Sequence, residues 1–402
     1  MFKEKNILFI LFSLIIIYFA QGVFYATGSL ISQGCLFVFL AISGIYFIKT
    51  ILIRREKNLF FKTWTALLLI NVLSFVFTGY LSNPNHFGMF KGILISSLPF
   101  YPVYYFSQKN ILRSKHLIVL FFVMLIISIL QFYYNKELIL LERISDNENV
   151  VNNAAYMFVN LIPFVFLIKK RKTISLFTML FLAFFIIQGS KRGAILTGSV
   201  GLLIFIYFQL RTIDKNHRVK GYLFIVISLL VVSYYTYTFY LENEFLIQRM
   251  ELLSDGGYSG RDIIYKNIFN SWYYSDNLLN IVFGFGFASS LELSGTGNFA
   301  HNDWLELLSN YGLLGVSIYL LLFYSAYKLM KNSQWDSDKR ILFFCVVAMW
   351  FLTTLFSMAY TSTGGYLQAI VMAYLMGSDG KEYKNKIQIV IPKKSLQDIV
   401  CQ

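Results

Sequence analysis

The sequence predicts an all-α protein that crosses a membrane many times. Three observations carry this. Hydrophobic residues make up 57% of the 402 and charged residues only 14%, whereas a soluble domain carries about 25% charged residues. Apolar runs recur along the whole chain, and a membrane span needs roughly 20 mainly apolar residues. The runs are continuous and lack a period of two, which argues against a barrel, so helices must satisfy the backbone within lipid.

Taken in order, the runs cover 7–26, 30–53, 59–81, 89–107, 116–134, 154–168, 173–188, 193–210, 221–241, 311–330, 341–360 and 363–377, or about twelve helices. Those at 154–168 and 173–188 are short for a span. The first run lacks a small-residue cleavage site followed by a polar segment, so it reads as a retained span rather than a signal peptide. Lysine and arginine set the orientation. With the N-terminus cytoplasmic, 27 of the 35 basic residues fall on the inner side and 8 on the outer. The net charge of +14 is then a topology signal, not a nucleic-acid footprint. The chain divides into membrane helices over 1–241, a large extracytoplasmic loop with short helices over 242–310, further membrane helices over 311–378, and a basic cytoplasmic tail over 379–402. Cys35, Cys345 and Cys401 have no plausible partners for a disulfide or a metal site.

Two outer loops stand out. One covers 135–153 and holds Glu142, Arg143, Asp146, Glu148 and several asparagines. The other, 242–310, is the longest, and a long ordered loop usually has a task. Within it, Ser254–Gly260 is turn-forming. A short amphipathic helix follows from Arg261, with Ile264, Ile268 and Trp272 on one side. Gly284-Phe285-Gly286-Phe287 breaks the chain, and 301–310 reads as a helix running on into the tenth span.

The polar residues near this boundary carry the chemistry. Lys191 and Arg192 lie in a short outer turn, Gly189-Ser190-Lys191-Arg192-Gly193. They either snorkel to head groups or bind an anion at the N-terminus of the next helix. Arg261 also opens a helix, where the dipole disfavours a cation; it pairs with Asp255 or Asp262, or it serves something anionic. Arg249 is open to both readings. His301 either caps and packs or does acid–base and hydrogen-bonding work. His86, His116 and His217 fall on different loops, so a zinc site is not expected. Asp303 and Glu306 are expected as solvated charges, one of which orients the imidazole. Gly312 and Gly315 read as packing glycines.

In this order, Ser190-Lys191-Arg192-Gly193, Arg261, Gly284-Phe285-Gly286, His301-Asn302-Asp303-Trp304-Leu305 and Gly312-Leu313-Leu314-Gly315 resemble the O-antigen ligase and O-antigen or capsule polymerase family of bacterial membrane glycosyltransferases. The resemblance covers roughly 185–330, with a weaker echo at Asn153-Ala154-Ala155 and Pro163. It implies a GT-C type fold in the bacterial plasma membrane, with both termini cytoplasmic. It also implies metal-independent transfer of a glycan from undecaprenyl diphosphate, with no cofactor. A polymerase hands the glycan to the next lipid-linked repeat unit and a ligase hands it to lipid A–core; polymerase is the expectation here. The partners implied are the undecaprenyl-diphosphate-linked oligosaccharide, membrane lipid, a chain-length regulator and a flippase, and no nucleic acid. A transporter for the same lipid-linked sugar is the rival from another class. It would place ionisable residues at mid-membrane, whereas the spans here hold almost none at their centres.

The chemistry agrees with the resemblance. A departing diphosphate needs fixed cations, and arginines bind phosphate oxygens bidentately. An acceptor hydroxyl needs a base, a task that suits neutral histidine. His301, Arg261 and Arg192 are therefore expected as catalytic residues. Arg249, Lys191, Asn302, Asp303, Trp304 and Tyr258 are expected to bind substrate, and the polar 135–153 loop and the aromatic outer loop, with Trp272, Tyr273, Tyr274 and Trp304, are expected to shape the sugar sites.

Overall fold

The computed structural model describes residues 4–24, 29–53, 58–142, 151–169, 171–212, 218–242, 247 and 261–390. Among the described residues every regular element is helical. Among the described residues seven helices are long and apolar enough to cross a bilayer: Glu4–Val23, Leu30–Leu52, Leu59–Thr78, Ser114–Leu140, Arg192–Thr212, Asp303–Asn332 and Ser337–Phe356. Ala155–Val165 and Lys172–Gln188 are shorter apolar helices. Large apolar side chains on these helices face outward, with Phe9 and Phe37 each 74% exposed, as a lipid-facing surface requires.

Local chemistry sets the helix ends. Ser29 and Asn58 cap two helices, accepting from Ser32 N at 3.2 Å and Phe60 N at 2.9 Å, which satisfies amides left unpaired in a first turn. The expected span over 89–107 is two helices, Pro84–Ser97 and Phe100–Gln108. Pro99 and Pro102 have no N–H to donate at the junction, so an unbroken ladder cannot form there. The helix expected over 116–134 runs further, from Ser114 to Glu142.

In lipid, helices associate by close packing rather than by apolar burial. Gly198 and Gly201 show this on the Arg192–Thr212 helix. A Cβ at Gly201 would lie 2.9 Å from Met349 Sδ and 3.1 Å from Ile162, and one at Gly198 would lie 3.1 Å from Ile186. The helix thus sits against three neighbours at once. Buried polar pairs add specific links: Tyr311 Oη donates to Asn71 Oδ1 at 2.7 Å, and the Thr63 and Ser325 hydroxyls lie 2.9 Å apart. Both tie Leu59–Thr78 to Asp303–Asn332.

The helix that begins at Asp303 does continue into the following apolar run, but it is kinked. Gly312 has φ 57° and ψ −150° inside it. A Cβ there would lie 2.5 Å from Ile281 O, and one at Gly284 (φ 78°) would lie 2.4 Å from Tyr311 N. Only glycine lets these two backbones meet, and Phe285 N donates to Ser309 O at 2.7 Å across the contact. The helices Arg261–Tyr273, Leu278–Phe283 and Ser290–Leu293 pack on this start. Arg261–Tyr273 buries Ile264 and Ile268 against Ala300.

Candidate active site

The ends of several helices meet around a cleft of about 420 Å³, lined among others by Lys191, Arg261, His301, Tyr156, Ser357 and Thr363. The two chain segments that deliver the cation turn and the histidine are both strained. Ser190 has φ 51° and His301 has φ 52°, conformations that cost a non-glycine residue about 1–3 kcal/mol and recur at functional sites.

Each is over-determined by its surroundings. Asn152 N donates to Gly189 O at 2.9 Å, and the Gly189 backbone lies so close to Ala155 that a Cβ would approach it to 2.6 Å. Around His301, Ala300 N donates to Glu306 Oε2 at 3.0 Å. Asn302 Oδ1 caps the next helix, accepting from Trp304 N at 2.9 Å and Leu305 N at 3.2 Å. With both neighbours fixed, the imidazole is held open to the cleft.

Arg261 reaches across to the end of the Ser337–Phe356 helix, donating from its guanidinium to Phe356 O at 3.0 Å. Among the described residues it makes no ion pair; neighbouring Asp262 does not bind it, and Asp255 lies outside the described residues. The surrounding protein desolvates the His301 ring, and the charges of Arg261 and then Lys191 oppose a further positive charge. Together these hold the imidazole below its ordinary value of 6.5, so it is neutral at pH 7.

The turn 189–193 puts Lys191 on the cleft, while Arg192, expected to act there, is not among its lining residues; it is the first residue of the helix that follows. Arg249 and Tyr258 lie outside the described residues. Asn302, Asp303 and Trp304, expected to touch substrate, are instead engaged with protein and do not line the cleft. Asn302 Nδ2 donates to Leu355 O at 3.2 Å, and Trp304 Nε1 donates to Thr354 Oγ1 at 3.0 Å.

Asp303 and Glu306, expected as solvated charges, are both 0% exposed. Asp303 accepts from Tyr319 Oη at 2.6 Å and from Ala359 N at 2.8 Å, and also from the Tyr360 backbone. Glu306 accepts from Ser290 Oγ at 2.5 Å and Asn310 Nδ2 at 3.3 Å as well as from Ala300 N. Such pairing is what a buried carboxyl requires. The His-Asn-Asp-Trp stretch is thus a clamp: one residue faces the cleft and the next three fasten it to residues 354–360. Trp272 Nε1 donates to Ile281 O at 3.0 Å, which commits that ring to the local fold.

The segment 357–365, most of it expected within the spans 341–360 and 363–377, instead joins the helices Ser337–Phe356 and Tyr366–Val390. It brings Ser357, Ser362, Thr363 and Gly364 to the cleft. Its run of serine, threonine and glycine between two apolar stretches was the available signal. Tyr156 was also missed; its hydroxyl bonds Ser357 and feels the Arg261 charge. Gly193 makes room for it, since a Cβ there would lie 2.2 Å from that hydroxyl.

The arrangement provides two cations, one of them held by a backbone carbonyl, a neutral imidazole and a hydroxyl-rich wall in one recess. Among the described residues no group of three or more His, Cys, Asp and Glu side chains is placed to hold a metal ion. No protein-family model matches the chain, and no curated protein matches its sequence.

Proposed function

We propose that this chain is a membrane glycosyltransferase that moves a glycan from a polyprenyl diphosphate to a sugar hydroxyl of another lipid-linked repeat unit. In this reading about twelve spans are counted with the shorter helices included. The cleft opens on the outer face of a bacterial plasma membrane, and both termini are cytoplasmic. The observation that carries it is the convergence of Lys191, Arg261 and His301 on one cleft from three separated parts of the sequence.

The chemistry follows. The acceptor oxygen forms a bond to the anomeric carbon as the bond from that carbon to the diphosphate oxygen breaks. The electron pair leaves with the diphosphate, whose growing negative charge Arg261 and Lys191 stabilise. The hydroxyl proton passes to the neutral His301 imidazole. A single displacement of this kind inverts the anomeric centre. A ligase would run the same steps with lipid A–core as acceptor.

The test is complementation of a deletion strain with His301→Ala and Arg261→Ala, each checked for normal membrane levels. The expected result is surface glycan of one repeat unit and accumulation of the lipid-linked unit. Normal chain-length ladders in both variants would overturn the proposal.

A further inference from the structure

Two cations and the neutral His301 account for three of the residues that line the cleft, and others carry side-chain amides. Gln131 and Asn135 stand one helical turn apart on the Ser114–Glu142 helix, so they share a face. Asn153 precedes the Ala155–Val165 helix, and Asn160 lies within it. Tyr156, Met157 and Asn160 follow Asn153 at helical spacing, and all four line the cleft.

Amides in an apolar helix are expensive unless paired. Asn160 is paired, accepting from Gln368 Nε2 at 2.8 Å. Gln131 is not: its Oε1 is buried and has no hydrogen-bond partner. A buried carbonyl oxygen without a donor needs an explanation, and this one belongs to a residue that lines the cleft.

We propose that Gln131, with Asn135 and Asn153 beside it, is the sugar-binding side of the cleft, and that its Oε1 accepts a hydroxyl of a pyranose ring. This rests on the glycosyltransferase reading. Amides suit the task because each offers donors and an acceptor without charge, matching hydroxyls that both donate and accept. The division of labour is then spatial. Lys191 and Arg261 hold the diphosphate, and the amides set the ring that reacts beside it.

The orphan acceptor gives the test its signature. In full-length protein in proteoliposomes, transfer is followed with the lipid extract of the deletion strain as substrate. Gln131→Leu should raise KM for the extracted lipid about tenfold, the effect of one hydrogen bond, while kcat stays within about twofold. Its melting temperature should stay equal or rise, because the substitution removes an unsatisfied buried atom. Gln131→Glu, which keeps the acceptor oxygen, should recover part of the affinity. An unchanged KM in Gln131→Leu would overturn the proposal, and so would a KM increase accompanied by a fall in melting temperature, since that marks a structural role. If Arg261→Ala and His301→Ala also transfer normally, the enzyme reading itself has failed. If they are inactive while Gln131→Leu is normal, only the amide subsite has.

Discussion

Basic residues behave differently at the two ends of this helical bundle. At the end away from the cleft, Lys109 lies 2.8 Å from Glu4, and Lys169 lies 2.8 Å from Asp338 and 4.0 Å from Asp336. Arg211 donates to Ser337 Oγ at 3.0 Å. These are carboxylate and hydroxyl partners on the protein's own surface. At the cleft end, Arg261 is held by a backbone carbonyl and turned toward a neutral imidazole. A carbonyl fixes a guanidinium without neutralising it, so the charge stays available to an anion. The same residue type thus closes the fold at one end and equips a site at the other.

The strongest way to break that comparison is to remove one cation at each end. Arg261→Ala should lower transfer by about 100-fold or more, the scale for losing a group that stabilises leaving charge. Transfer in proteoliposomes by Lys169→Ala should remain within about twofold of the parent protein. Equal losses in the two variants would erase the distinction.

A second test addresses the clamp. Asp303→Ala leaves the Tyr319 hydroxyl and the Ala359 and Tyr360 amides without an acceptor. The cost should be about 3 kcal/mol, read as a lower melting temperature of the purified protein. Activity should fall with it, because residues 357–365 lose their attachment to the segment that carries His301. A variant as stable as the parent would remove the clamp from the account.

The sequence revealed the long helices, because twenty apolar residues have few alternatives in lipid. It also marked the turn at Lys191 and the junction at His301, where charge meets an apolar run. It did not reveal the fate of Asp303 and Glu306. A carboxylate in a first helical turn is the ordinary solvated choice, and the groups that bury these two, Ser290, Tyr319 and Ala359, lie far off or read as unremarkable. The break at Pro99 was hidden because the apolar run on either side of it is unbroken. Gln131 was lost because a single amide in a long apolar stretch does not interrupt it, whereas Asn135 and Asn153 lie in the polar 135–153 stretch that the sequence does single out. For Asp303 and Glu306 the missing information was a set of partners distant in the chain.

A third prediction sharpens the cleft end through pH. The folded protein favours the neutral form of His301, so protonation opposes both the fold and the base role. This contribution is present above the ordinary value of 6.5 and is lost as pH falls through the lowered value. Transfer should therefore fall about tenfold per pH unit on the acid side. His301→Gln should be slow and lack that limb. An unchanged acid limb in His301→Gln would assign the titration to another group.

The smallest effect belongs to the paired end. Lys169 and Asp338 are 44% and 31% exposed at their side chains, so water screens their attraction. Breaking the pair with Lys169→Gln should cost less than about 1 kcal/mol, and added salt should shrink even that difference. The same screening should show more strongly at the cleft end if an anionic substrate is drawn to Arg261 and Lys191: raising salt should raise the parent protein's KM while leaving the melting temperature of Lys169→Gln nearly unmoved. If salt lowered stability strongly and spared KM, the ion pairs would be holding the fold and the cleft cations would be serving no anion, the reverse of the division drawn above.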